Sequence, residues 1–126
     1  MKFEEFVTNF KKDIDYRKTG MILFHNGVMR ATSRDGKAVT KLSVKKDDKK
    51  IKSILKEFSE QNGISKINAA VFEGEFSPGD NIMYVGVAGD IRDNVFPALE
   101  NLVNKIKKEA VFKEETPMPT NCRKQL

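Results

Sequence analysis

Apolar residues recur at two spacings along this chain, and the switches between them predict its elements. Phe3, Phe6, Val7 and Phe10 fall at helical intervals and predict a short amphipathic helix over residues 3–14. Lys18-Thr19-Gly20 breaks it, and Met21-Ile22-Leu23-Phe24 then reads as a buried strand reaching towards Arg30. Asp35-Gly36 predicts a hairpin turn, because glycine accepts positive φ, joining the first strand to a second over residues 38–44. Ile51, Ile54, Leu55 and Phe58 form one helical stripe. Asp47 or Asp48 is placed to cap its start, and Asn62-Gly63 to stop it.

A strand over residues 66–73, a turn at Ser77-Pro78-Gly79-Asp80 and a strand over residues 82–88 follow. The last helix is predicted to begin near Asp93-Asn94, with Pro97 in or beside its first turn. Phe96, Leu99, Leu102, Val103 and Ile106 supply its apolar face. The order is helix, strand, strand, helix, strand, strand, helix. Turns between successive strands predict a mixed or antiparallel sheet with helices packed on it, an α+β fold. One domain over residues 1–115 is expected. Residues 116–126, with two prolines and no periodicity, are expected to be an extended or disordered tail.

Composition narrows the setting. The 126 residues suffice for one core without disulfides, and the single cysteine, Cys122, allows no intramolecular bridge. The first six residues carry acids among their apolar positions and lack a signal peptide's apolar core, and no apolar run is long enough for a membrane helix. These features read as a cytoplasmic protein without a membrane partner. Net charge is +5, from 23 Lys+Arg against 18 Asp+Glu, which favours anionic partners. The densest charged run, residues 45–50, mixes signs and lacks the interleaved aromatics of a nucleic-acid stripe, so no nucleic-acid partner is expected.

His25 is the only histidine and cannot belong to a His/Cys metal cluster; on a buried strand it reads as a core or interface residue. No phosphate-loop, dinucleotide or nucleophile motif is present. What remains is a set of cations at element ends: Arg30, Arg92, Lys105, Lys107, Lys108 and Lys113. Lysines in a last helical turn complement the helix dipole, which accounts for Lys107 and Lys108 without any function. Functionally, arginine offers a planar fork for phosphate, and a lysine made less basic by its surroundings can move protons.

Taken in order, these residues resemble the large, catalytic subunit of molybdopterin synthase. Residues 19–24 and Gly27-Val28-Met29-Arg30 are similar to that family's opening strand. Gly74-Glu75-Phe76-Ser77-Pro78-Gly79-Asp80 resembles its turn before a central strand. Arg92 takes the arginine place of its His-Arg pair, with Ile91 where the family has histidine. Val95-Phe96-Pro97-Ala98 resembles the start of its last helix. Lys107 and Lys113 resemble the two lysines flanking its loop, here one residue shorter and without its proline and tryptophan.

The resemblance implies an α/β-hammerhead-like fold, a homodimer, and a small ubiquitin-like sulfur-carrier subunit ending in Gly-Gly. It implies sulfur transfer from that subunit's thiocarboxylate to cyclic pyranopterin monophosphate, making the molybdopterin dithiolene with no metal or cofactor of this subunit's own. Lys107 and Lys113 would be catalytic; Arg30, Arg92 and Lys108 would hold the pterin phosphate. Two alternatives stay open: a non-catalytic relative that binds a ubiquitin-like tail or a pterin, and a basic module that binds RNA or another polyanion.

Overall fold

The computed structural model describes residues 1–118; Cys122 and residues 119–126 of the expected tail lie outside that range. The elements run α1 (Phe3–Lys11), β1 (Met21–Val28), β2 (Val39–Lys46), α2 (Asp48–Ser59), β3 (Ile64–Val71), β4 (Gly74–Phe76), β5 (Asn81–Gly89), α3 (Arg92–Glu109) and β6 (Val111–Pro117). The fold is α+β. Its strands form two three-stranded sheets, β1-β5-β3 and β4-β2-β6, and every pairing between them is antiparallel.

β5 is the centre of the first sheet because its sequence is apolar on both faces. Met83, Val85 and Val87 face α2 and α3 across the main core, joined there by Ile51, Ile54, Phe58, Leu102 and Ile106. The opposite face carries Tyr84 and Gly86 and is covered by α1, whose Phe6 and Phe10 are buried. Phe10 lies so close to the sheet that a Cβ at Gly86 would fall 2.8 Å from its ring. Lys66 closes the end of α1 by donating to the carbonyls of Phe10, at 2.7 Å, and Lys12, at 2.9 Å.

Local signals set the ends of α2. Asp47 accepts from the backbone N–H of Lys50 at 3.1 Å, and Gly63 takes φ +84° just beyond the helix. The buried face of α3 is rotated from the expected one. Val95 and Ala98 are buried with Leu102, Val103 and Ile106, while Phe96 is 52% exposed at the helix flank. Pro97 is the sixth helical residue and so sits in the second turn.

Two expectations change. The Asp35-Gly36 turn forms, with Gly36 at φ +84° and a bridge between Thr32 and Ala38, but β1 and β2 do not make a hairpin. Beyond that bridge they part into different sheets, since β1 finds its partner in β5, far along the chain. Secondly, the expected element order ends on the last helix, whereas a further strand follows it: β6 lies along β2 with Lys113 opposite Val44 and Thr116 opposite Lys41.

Candidate functional site

A tight reversal after α3 brings Lys107 and Lys113 to the same region. Lys107 sits on the last turn of the helix. Ala110 is fully buried; its N–H donates to Ile106 O and its carbonyl accepts from Asp47 N–H, both at 2.9 Å. The chain is thus pinned between α3 and the start of α2 before β6 departs. Lys113 stands opposite Val44 on β2, and opposed residues of paired strands share a face. That face is the buried one, since Val44 is 2% exposed. Lys113 therefore leaves β6 on the side of Val44, but at the open margin of the sheet, where it is itself exposed.

The strand β1 brings His25 to the same place. Alternation puts His25 on the face of Leu23, which packs into the core under α3, while Phe24 faces the aromatic rings of α1. His25 Nε2 is buried without a hydrogen-bond partner, and it lies 3.3 Å from where a Cβ of Gly27 would sit. A side chain at position 27 would press on the imidazole.

Burial, and then the ammonium groups of Lys107 and Lys113, push the His25 pKa below its ordinary 6.5. The Lys113 pKa is lowered too, first by desolvation and then by Lys107, with a smaller push from Arg34 and an opposing pull from Glu115. Among the described residues, no carboxylate forms an ion pair with Lys107 or Lys113. The region is one of concentrated positive charge with an imidazole kept neutral, suited to holding an anion and exchanging protons with it.

His25 offers a direct check, as the chain has no other histidine. Its imidazole is expected to titrate below 6.5 by NMR, and Lys107→Ala should raise the midpoint by removing a cation. An unchanged midpoint in the variant would separate the two groups. Because the folded pKa is the lower one, the unfolded chain takes up the proton first as pH falls. The His25 contribution to stability is therefore complete above the unfolded pKa and is lost on acidification through the folded one.

The other cations named from sequence are placed differently. Arg30 follows β1 two residues beyond its end, at the lysine end of the molecule, and its Nε donates to Thr32 O at 3.2 Å. Lys108 is exposed and projects about 100° around the helix from Lys107. Lys105 points to α2, where Glu57 holds it at 2.8 Å. Arg92 is the first residue of α3 and Lys107 lies in its last turn, so they are separated by about 22 Å along the axis. One copy of the chain does not bring them together.

Two surface depressions lie at the Arg92 end. One of about 380 Å³ is lined by Gly20, Met21, Asp90, Ile91, Arg92 and Asp93. The other, about 270 Å³, shares Asp90. The Asp90 carboxylate is already engaged, accepting from Asn94 Nδ2 at 2.8 Å and from the Ile91 N–H at 2.6 Å. Both of these depressions lie away from the lysine region, at the opposite end of α3. Among the described residues no group of three or more His, Cys, Asp or Glu is placed to hold a metal, and no helix is long and apolar enough to cross a membrane.

One member of the lysine region was not among the residues singled out for chemistry. His25 was legible in part, since period-two alternation from Leu23 places it under α3.

Comparison with known proteins gives consistent relatives. The family model described as MoaE protein matches residues 2–109. Molybdopterin synthase from Staphylococcus aureus superposes with TM-score 0.76 at 18% identity, over 94% of this chain and 86% of that one. Molybdopterin cofactor biosynthesis protein E from Burkholderia multivorans gives 0.72 at 21% identity, over 98% and 89%. A complex of subunits 1 and 2 of molybdopterin-converting factor from Helicobacter pylori gives 0.71 at 16% identity, over 93% and 80%. Among curated protein sequences no relative matches.

Proposed function

This chain belongs to the MoaE protein family, and on that premise we propose that it is the large subunit of a molybdopterin synthase. In this reading it works in molybdenum cofactor biosynthesis, transferring sulfur from a small ubiquitin-like subunit ending in Gly-Gly to cyclic pyranopterin monophosphate. The observation that carries the proposal is the convergence of Lys107 and Lys113, from separate elements, on one cationic patch where, among the described residues, neither makes an ion pair. The structure from Helicobacter pylori, a complex of subunits 1 and 2 of molybdopterin-converting factor, supports a two-subunit enzyme.

The chemistry asks for what the patch offers. A thiocarboxylate sulfur forms a bond to a pterin carbon, and its bond to the acyl carbon breaks. Water supplies the oxygen that leaves the small subunit with an ordinary carboxylate. The oxygen displaced from the pterin needs a proton, and the acyl addition intermediate needs its negative charge stabilised. Lys113, with its lowered pKa, is the better proton-transfer group; Lys107 supplies fixed positive charge beside it. Arg30, at the same end, and Lys108 would anchor the phosphate. Arg92 would reach this site only from a second copy of the chain, in keeping with a homodimer.

A second reading rests on Ile91, 55% exposed where the family's pattern has histidine: a relative that binds the partner tail or the pterin without turnover. Reconstitution decides between them. The chain is mixed with a thiocarboxylated small subunit and the pyranopterin precursor, beside an authentic synthase pair. Dithiolene product is expected. Tail binding without product, where the authentic pair turns over, would favour the second reading and overturn the first.

A further inference from the structure

We infer that His25 is a further substrate-contacting residue of the lysine site, donating a hydrogen bond from Nδ1 to an anionic oxygen held by Lys107 and Lys113. That the oxygen belongs to a pterin or an acyl group rests on the synthase reading; the donor and the anion site do not.

Strand register fixes where the imidazole lies. His25 stands opposite Val85 and Gly27 opposite Met83, so all four share the face that packs under α3. The ring leans along β1 towards Arg30, since Nε2 lies 3.3 Å from where a Cβ of Gly27 would sit. The helix α3 is anchored over the same strands. Its Val95 covers Gly89, where a Cβ would fall 2.7 Å from Val95 Cγ2, and the helix packs on both β5 and β1. From Val95 to Lys107 the helix advances about 18 Å. From Gly89 the strand advances about 13 Å to Val85 and about 20 Å to Met83. Lys107 therefore comes level with residues 25–27 of β1. Lys113 follows within about 10 Å of Ala110, where α3 ends. The pull of both ammonium groups on the His25 pKa agrees with this placement.

Burial divides the imidazole into two unlike edges. Among the described residues Nε2 is the sole buried side-chain nitrogen or oxygen without a partner. His25 as a whole is part-exposed, so the open part of the ring is the other edge, which carries Nδ1. A hydrogen on Nε2 would be a buried donor with no acceptor, which is unfavourable. The ring therefore keeps its lone pair on Nε2 and its hydrogen on Nδ1. Protonation would create that orphan N–H and add a third positive charge beside two lysines. No charged residue of β5 faces the ring to offset it, since Val85 and Met83 are its neighbours there. His25 is thus an uncharged donor that stays a donor. It directs a hydrogen bond at an oxygen carrying negative charge, while Lys107 supplies charge and Lys113 moves protons.

The test begins with nitrogen NMR of the single histidine, which separates the two neutral ring forms. The Nδ1–H form is expected, with the Nδ1 signal shifting saturably as inorganic phosphate is added. Calorimetry then compares phosphate affinity in wild type, His25→Phe, His25→Gln and His25→Asn. His25→Phe keeps the ring volume and removes the donor; it should bind phosphate about tenfold more weakly. Asparagine carries its amide near the place of Nδ1 and glutamine near that of Nε2, so His25→Asn should recover part of the loss and His25→Gln should not. The same order should hold for kcat/KM in the reconstituted reaction. An Nε2–H ring, no saturable shift in wild type, or wild-type phosphate affinity in His25→Phe would each overturn the inference. Phosphate binding that depends on His25 in a protein making no dithiolene would leave it standing and remove the synthase reading instead.

Discussion

Lys107→Ala is expected to lower the rate of dithiolene formation by about 10²–10⁴-fold, the range typical of a positioned proton-transfer or charge-stabilising group. The loss should appear in kcat, because the charge that Lys107 would stabilise in the proposed reaction develops only as it proceeds. The fold should survive. Lys107 is exposed at the end of α3, and the packing of that turn depends on Ile106 and Ala110, both fully buried. Unchanged circular dichroism and an unchanged unfolding midpoint would establish this. Lys105→Ala is the matched control: two residues away on the same helix, its ammonium is held by Glu57 on α2. It should leave the rate near wild type. A Lys107→Ala protein with a wild-type rate would remove Lys107 from the mechanism.

The largest effect on stability is expected at Phe10, far from the lysines. Its side chain is 2% exposed and meets Phe24 edge to face at 5.2 Å between centroids, with Phe6 at 6.2 Å. Lys66 Nζ sits 5.0 Å from the ring centroid. Phe10→Ala should cost about 3–5 kcal/mol, from lost burial and a cavity that the rigid sheet cannot close. The denaturant midpoint should fall with little change in slope. A loss below about 1 kcal/mol would mean that α1 hardly contributes to the fold, at odds with the stability expected for a buried aromatic.

The parts of this fold that local chemistry dictates were legible in the sequence. The α2 stripe of Ile51, Ile54 and Phe58 is buried as its spacing requires, and Asp47 caps it. What escaped depends on distant parts of the chain. The partner of β1 is β5, about sixty residues on, so the Asp35-Gly36 turn could be read while its presumed hairpin could not. β6 offered no pattern, since Val111 alone among its residues is buried. It is a strand because β2 presents an open edge.

The candidate site divides in the same way. Lys107 and Lys113 could be named from order and spacing, but their meeting depends on the reversal pinned at Ala110. The separation of Arg92 from Lys107 was implicit in the sequence, because residues at opposite ends of one predicted helix cannot share a pocket within one copy. His25 joined the lysines through the face it occupies, and that meeting has no local signature.

The central claim is that sulfur passes to a pterin at the lysine patch. The most direct measurement follows isotopically labelled sulfur from the thiocarboxylate of the small subunit in a reconstitution with this chain. The account predicts a pterin carrying two labelled sulfurs and a small subunit returned to its carboxylate form, with both changes lost in Lys107→Ala. An unlabelled pterin alongside a small subunit that keeps its sulfur, under conditions where an authentic pair completes the transfer, would contradict it.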